Sequence, residues 1–186
     1  MVLTPSNMMP LGTQAPDFTL PDVVSGKELS LRDLKGKHAT LIMFICNHCP
    51  FVKHIQDELV KLGKEYPAKG VGIIAISSND VDNYPDDSSG KMKILSDSLG
   101  YTFPYLYDET QQVARAYDAT CTPDFFIFDK DLICVYRGQL DDSRPGNSIP
   151  VTGSDIRNAL DAIILGEEVD IQQKPSVGCN IKWKWL

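Results

Sequence analysis

Thr40-Leu41-Ile42-Met43-Phe44-Ile45-Cys46-Asn47-His48-Cys49-Pro50 is the stretch on which the fold turns. Residues 40–45 are a nearly continuous apolar run of strand length. Such a run predicts a strand buried on both faces, as in a parallel or mixed sheet lying under helices. Directly after it, Phe51, Ile55, Leu59 and Leu62 recur at spacings of four, four and three. Lys53, Gln56, Asp57, Lys61 and Lys64 fill the opposite face, which predicts an amphipathic helix. Pro50 suits its first turn, where a missing N–H costs nothing. Two cysteines therefore stand at a strand-to-helix junction.

Upstream, residues 13–22 read as an extended lead-in, because Pro16 and Pro21 disfavour a helix. Residues 28–34 read as a short strand and turn. Downstream come a second apolar strand (71–76), a polar loop (77–90), a helix (91–99) closed by Gly100, a short strand (103–106) and a short helix (111–117). Residues 124–129 and 133–137 form a predicted hairpin around Lys130-Asp131. A loop over 139–150 carries Asp141, Asp142, Ser143 and Arg144. Residues 153–165 form a last helix with Ile156, Leu160, Ile163 and Ile164 on one stripe, Ser154 as candidate N-cap and Gly166 as candidate C-cap. Residues 167–186, with Pro175, Cys179, Trp183 and Trp185, show no helical periodicity. The order implies a three-layer α/β sandwich. Residues 1–186 make one domain, with 1–11 as an N-terminal arm and 167–186 as a C-terminal tail.

Composition narrows the function. The 186 residues carry 18 Lys+Arg against 25 Asp+Glu, a net charge of −7, and such a surface repels nucleic acid. No apolar run approaches the ~20 residues of a membrane-spanning helix. Residues 1–6 have neither a basic region nor a long apolar stretch, so the expected location is cytoplasmic, a reducing compartment. Five cysteines are an odd set for a disulfide scaffold, and thiol chemistry or metal binding is the better expectation. Asp80, Asp82, Asp86 and Asp87 do not have calcium-loop spacing around Pro85 and are expected to be a solvated loop.

The chemistry centres on Cys46-Asn47-His48-Cys49. A thiol over a helix start is held as thiolate by orphan N–H groups and the helix dipole. A second thiol within disulfide reach supplies what thiol–disulfide exchange needs. His48, when protonated, adds an electrostatic contribution. On this reading Cys46 is the anionic, attacking sulfur and Cys49 resolves. Structural zinc would need about four ligands, and no second Cys or His pair is present besides His48 or His54. Two inert buried cysteines are the other alternative. No cofactor and no metal are expected.

Residues 44–50 on a strand-then-helix, with Cys121-Thr122-Pro123-Asp124 ahead of a hairpin, resemble the thioredoxin superfamily. Ala15-Pro16-Asp17-Phe18-Thr19-Leu20 resembles the N-terminal signature of its redoxin (AhpC/TSA-type) branch. The runs 46–53, 121–129, 136–147 and 175–183 resemble bacterial thioredoxin family proteins with this Cys-Asn-His-Cys motif. The resemblance implies a thioredoxin-like α/β/α sandwich with a mixed sheet and a cis bond before Pro123. Thr122-Pro123 would face the cysteine pair and bind extended substrate backbone. It implies a thiol–disulfide oxidoreductase in cell redox homeostasis, acting on a protein or small-molecule disulfide and recharged by a thiol donor. The family's buried acid has no counterpart, since Thr40 falls at its place, so His48 or His54 is expected to move the proton.

A peroxiredoxin-like thiol peroxidase (an antioxidant role) is the second reading. That family's peroxidatic cysteine aligns with Cys49, but its activating arginine falls near Val135, leaving Arg137 or Arg144 as substitutes. A non-enzymatic redox-sensing or binding module is third. Cys121 reads either as a third redox thiol or as a small buried residue beside the site, and Cys134 as core. Cys179 either pairs with Cys121 or lies buried under Trp183. Asp141, Asp142 and Arg144 read as a solvated turn or as groups orienting substrate.

Overall fold

The computed structural model describes residues 3–184. Strand β1 (Leu3–Pro5) is followed by the extended lead-in and an antiparallel pair, β2 (Thr19–Pro21) and β3 (Glu28–Ser30). Ser30 then opens α1 (Leu31–Leu34) through a capping box. Its hydroxyl accepts from the Asp33 amide while the Asp33 carboxylate accepts from the Ser30 amide. The apolar run becomes β4 (Ala39–Phe44), and the periodic segment becomes α2 (Pro50–Glu65). There follow β5 (Val71–Ser77), α3 (Ser89–Leu99), β6 (Tyr105–Tyr107) and α4 (Gln112–Ala116). The chain ends with β7 (Cys121–Thr122), β8 (Asp124–Asp129), β9 (Cys134–Gly138), α5 (Ser154–Leu165) and β10 (Val177–Asn180).

The central sheet runs β6-β5-β4-β8-β9. β4, β5 and β6 are parallel, and β8 and β9 are antiparallel additions, so the sheet is mixed as expected. All six residues of β4 are buried. Their side chains divide with the period of two that a strand imposes. Leu41 and Met43 join Leu59 and Leu62 of α2 and Ile156 and Leu160 of α5 in one core. Ile42 and Phe44 join Leu31, Ala114, Tyr117 and Phe126 in a second core on the other face. At about 1.5–3 kcal/mol for each large apolar side chain fully removed from water, this two-sided burial holds β4 at the sheet centre and fixes the β4–α2 junction.

Three expectations are corrected. Ser154 is the first residue of α5 rather than its cap; Gly153, with φ +67°, holds the cap position, and the Ser154 hydroxyl turns to Asp155. The 77–90 loop is not simply solvated, for Ser78, Asn79, Asp80 and Asp87 are buried. The tail is not merely loop. β10 is the middle strand of a second sheet, β1-β10-β7, with Cys179 opposite Thr122 and Leu3. Trp183 packs under the Arg115 guanidinium, 4.4 Å from its ring centre, while Trp185 lies outside the described residues. Among the described residues no helix is long and apolar enough to cross a membrane.

Candidate active site

Burial of β4 and the amphipathic pull of α2 leave five residues to turn the chain between them. Helix α2 begins at Pro50, so Cys49 is its N-cap. The cysteine nearest the helix dipole is therefore Cys49, three residues later than the sequence reading placed the charge. Cys46 and Cys49 are 1 % and 0 % exposed. Cys46 Sγ lies 3.4 Å from the Thr122 hydroxyl, and Cys49 Sγ lies 3.2 Å from the Thr122 carbonyl. The Thr122–Pro123 peptide is cis and faces the pair, as the resemblance implied.

The two thiols differ in charge. Cys49 is lowered to about 5. The hydrogen bond with Cys46 is the largest cause; desolvation opposes it, and contacts with Cys179, the Val52 amide and Thr122 add to the lowering. Cys46 is raised well above the usual thiol range, because it is the donor to Cys49, is desolvated and sits near the Asp87 carboxylate. The shifts run in opposite directions, down at Cys49 and up at Cys46, which favours the thiolate on Cys49 over Cys46.

His48 and Asp87 form a second layer of the site. His48 Nδ1 is 2.6 Å from Asp87 Oδ2, and its ring stacks on Tyr84 at 5.6 Å. The Asp87 bond raises the His48 pKa, favouring imidazolium near neutrality. Asp87 is fully buried and also accepts from the Asn47 amide at 2.8 Å, the His48 amide at 3.3 Å and the Asn79 side chain at 2.8 Å. Its carboxyl stays below the ordinary range; desolvation opposes this, and the His48 and Asn79 hydrogen bonds outweigh it. Asn47 in turn accepts from Tyr105 Oη and donates to the Asp86 carbonyl. Sequence reading missed Asp87, since nothing in a run of loop aspartates marks the one that folds beneath a turn thirty-nine residues away. Donor atoms of Cys46, His48 and Asp87 lie within 4.8 Å of one another, a spacing a metal ion would accept. The Asp87 oxygens already accept four hydrogen bonds.

The remaining candidates separate cleanly. Cys179 is 2 % exposed, and its Sγ is 2.8 Å from Cys49 Sγ, so its neighbour is Cys49 rather than Cys121. Cys121 is fully buried beside the Pro123 carbonyl, and burial pushes its thiol far up, as befits a packing residue. Cys134 is core. His54 bonds the Ser143 hydroxyl at 2.7 Å, away from the sulfurs' hydrogen bonds. Thr40 accepts from the Gly36 amide, a structural role. The fold does contain a buried acid, Asp124, beside Pro123; burial keeps it neutral and Oδ2 has no partner among the described residues. Asp141 is buried and gathers the Ser143, Thr152 and Gly153 amides, so the 139–150 loop is a built turn rather than a solvated one. Arg144 donates to the Asp141 and Ser143 carbonyls and to Gln139, and Arg137 to Gln173 and the Met9 carbonyl.

Known proteins are similar to this chain in sequence and fold. A crystal structure of an uncharacterized conserved protein from Geobacillus kaustophilus is 63% identical, with TM-score 0.98, covering 99% of this chain and 97% of that one. Thiol-disulfide oxidoreductase ResA of Bacillus thuringiensis (strain Al Hakam) is 30% identical over 123 residues, 66% of this chain and 66% of that protein's length. The thioredoxin domain of a Bacteroides vulgatus thiol-disulfide oxidoreductase shares the fold, at TM-score 0.61 and 21% identity, covering 73% of this chain and 92% of that one. The architecture is thioredoxin-like, with the mixed sheet between two helical layers. Residues 11–137, from the lead-in through the cysteine junction to the end of the hairpin, match the AhpC/TSA family, and the chain belongs to that family.

Proposed function

We propose that the protein is a thiol–disulfide oxidoreductase whose Cys49 thiolate attacks a substrate disulfide and whose Cys46 thiol resolves the intermediate. The observation that carries this reading is the Cys46–Cys49 pair at the start of α2, facing the cis Thr122–Pro123 peptide at 3.4 and 3.2 Å, with the Cys49 thiol shifted down and Cys46 shifted up. Cys49 would bond one substrate sulfur and release the other as thiolate. Cys46 would then attack the Cys49 sulfur, surrender its proton and release the second substrate thiol, leaving a Cys46–Cys49 disulfide. That proton would pass to the departing substrate thiolate, and the His48 imidazolium, within 4.8 Å of the Cys46 sulfur, would stabilise the Cys46 thiolate as it forms. A protein disulfide is the favoured substrate class, and a thiol donor of the cell would return the pair to its reduced form. Likeness to ResA over 66% of each chain supports the reading.

The test is insulin-disulfide reduction with dithiothreitol. Cys49→Ser should fall to the uncatalysed rate, while Cys134→Ser, a core change, should keep turnover. Full activity in Cys49→Ser would refute the assignment.

A thiol peroxidase is the second reading, favoured by the same Cys49 at the helix N-cap position. Peroxide activation needs placed positive charge and donors, and Arg137 and Arg144 are both engaged elsewhere. Consumption of hydrogen peroxide with a sulfenate trapped on Cys49 would promote this reading over the first.

A further inference from the structure

Three sulfurs, not two, meet at the helix start, with Cys49 in the middle. On one side is Cys46, three residues earlier in the same turn and 3.4 Å from the Thr122 hydroxyl; on the other Cys179 lies 2.8 Å away. Cys179 arrives on β10, whose register sets it directly opposite Thr122. Thr122-Pro123 is where extended substrate backbone would run in the exchange reading, so the chain's own tail holds that place and presents a cysteine there.

The placement is built rather than incidental. A Cβ at Gly178 would collide with the Thr122 carbonyl oxygen, so glycine is what allows β10 to lie against β7. A Cβ at Gly138 would likewise collide with the Lys174 carbonyl oxygen, where the tail crosses β9. The Ser176 hydroxyl donates to the Pro123 carbonyl at 2.5 Å, and the Ser176 amide donates to Ser6 Oγ at 2.7 Å. β1 pairs with the other edge of β10. The tail is thus stitched to the cis-proline turn on one side and to the N-terminal strand on the other.

We infer that Cys179 is a second resolving thiol for Cys49, delivered by β10. The inference rests on the exchange reading above and extends it. With a mixed disulfide on Cys49, the Cys179 sulfur attacks Cys49 Sγ, a Cys49–Cys179 bond forms, and the bond to the substrate sulfur breaks. The Cys179 proton goes to the departing substrate thiolate. The substrate disulfide has gained two electrons from Cys49 and Cys179; one of its two protons comes from Cys179 and the other from solvent, because Cys49 begins as the thiolate. Starting instead from a Cys46–Cys49 disulfide, the same attack moves the bond to Cys49–Cys179 and returns the proton to Cys46, with no net redox change. The oxidised enzyme therefore partitions between two disulfides sharing Cys49, and one of them staples the tail strand to the active site.

The experiment treats the reduced full chain with oxidised glutathione, quenches in acid, alkylates free thiols and maps disulfide-linked peptides by mass spectrometry. Wild type should yield a Cys49–Cys179 peptide alongside Cys46–Cys49. Cys46→Ser should yield Cys49–Cys179 with loss of glutathione from Cys49. Gly178→Ala should lose the Cys49–Cys179 peptide and retain Cys46–Cys49. The inference is overturned, with the exchange reading intact, if Cys46→Ser keeps glutathione on Cys49 with Cys179 alkylated while Cys179→Ser forms Cys46–Cys49. If all five cysteines are alkylated in every protein, both fall.

Discussion

At Asp87 one buried carboxylate gathers two backbone amides, an asparagine and a histidine. Its replacement by asparagine leaves donors facing donors, and a loss of about 1–3 kcal/mol is expected. The pH dependence follows from the two shifts. His48 is raised in the folded state, so its share of stability is complete below 6.5 and disappears as pH rises through its folded value. Asp87 is lowered, so its share is present above 3.8 and disappears as pH falls through its folded value. The cost of Asp87→Asn should thus be greatest between about pH 4 and 6.5 and shrink on either side, as urea unfolding at several pH values would show. A cost that does not vary with pH would mean that His48 is not the cation paired with Asp87. Sequence alone pointed to His48 but not to Asp87, because the partner is chosen by the folding of the 77–90 loop and not by local spacing.

Among elements, β4 and α2 were readable because each expresses one period: continuous burial for a central strand, and a repeat near 3.6 for a helix packed on one side. Leu59, fully buried between α2 and the sheet, reports that packing; Leu59→Ala should cost about 2–5 kcal/mol in denaturant unfolding. A loss below 1 kcal/mol, within the ~0.5 kcal/mol scatter of surface changes, would contradict its place in the core. The start of α2 was readable, because Pro50 marks its first turn and the helix begins there; which sulfur that start favours was not, and the N-cap position at Cys49 sets the dipole nearer the trailing sulfur. β10 was illegible for a different reason. Its four residues, Val177–Asn180, have no alternation of their own, and they become a strand only through partners more than fifty residues away in β7 and at the opposite end of the chain in β1.

Across the molecule, the two cores and the mixed sheet bring the strand–helix junction, the cis-proline turn and the C-terminal strand to one point, where three cysteines lie together and nearly sealed from solvent. The depressed Cys49 pKa couples this site to global stability. A group lowered from 9.0 to about 5 adds stability that is complete above the unfolded value and lost as pH falls toward the folded one. The stability difference between reduced wild type and Cys49→Ser should therefore grow as pH rises from about 5 to 9, and a flat difference would deny the coupling. The charge on Cys49 is most directly measured by carbon NMR titration of the reduced protein labelled at the cysteine Cβ atoms. The account predicts a Cys49 midpoint of about 5, with Cys46 titrating above 9.0. A Cys49 midpoint at the ~8.5 of a free thiol, or a Cys46 midpoint below that of Cys49, would contradict it.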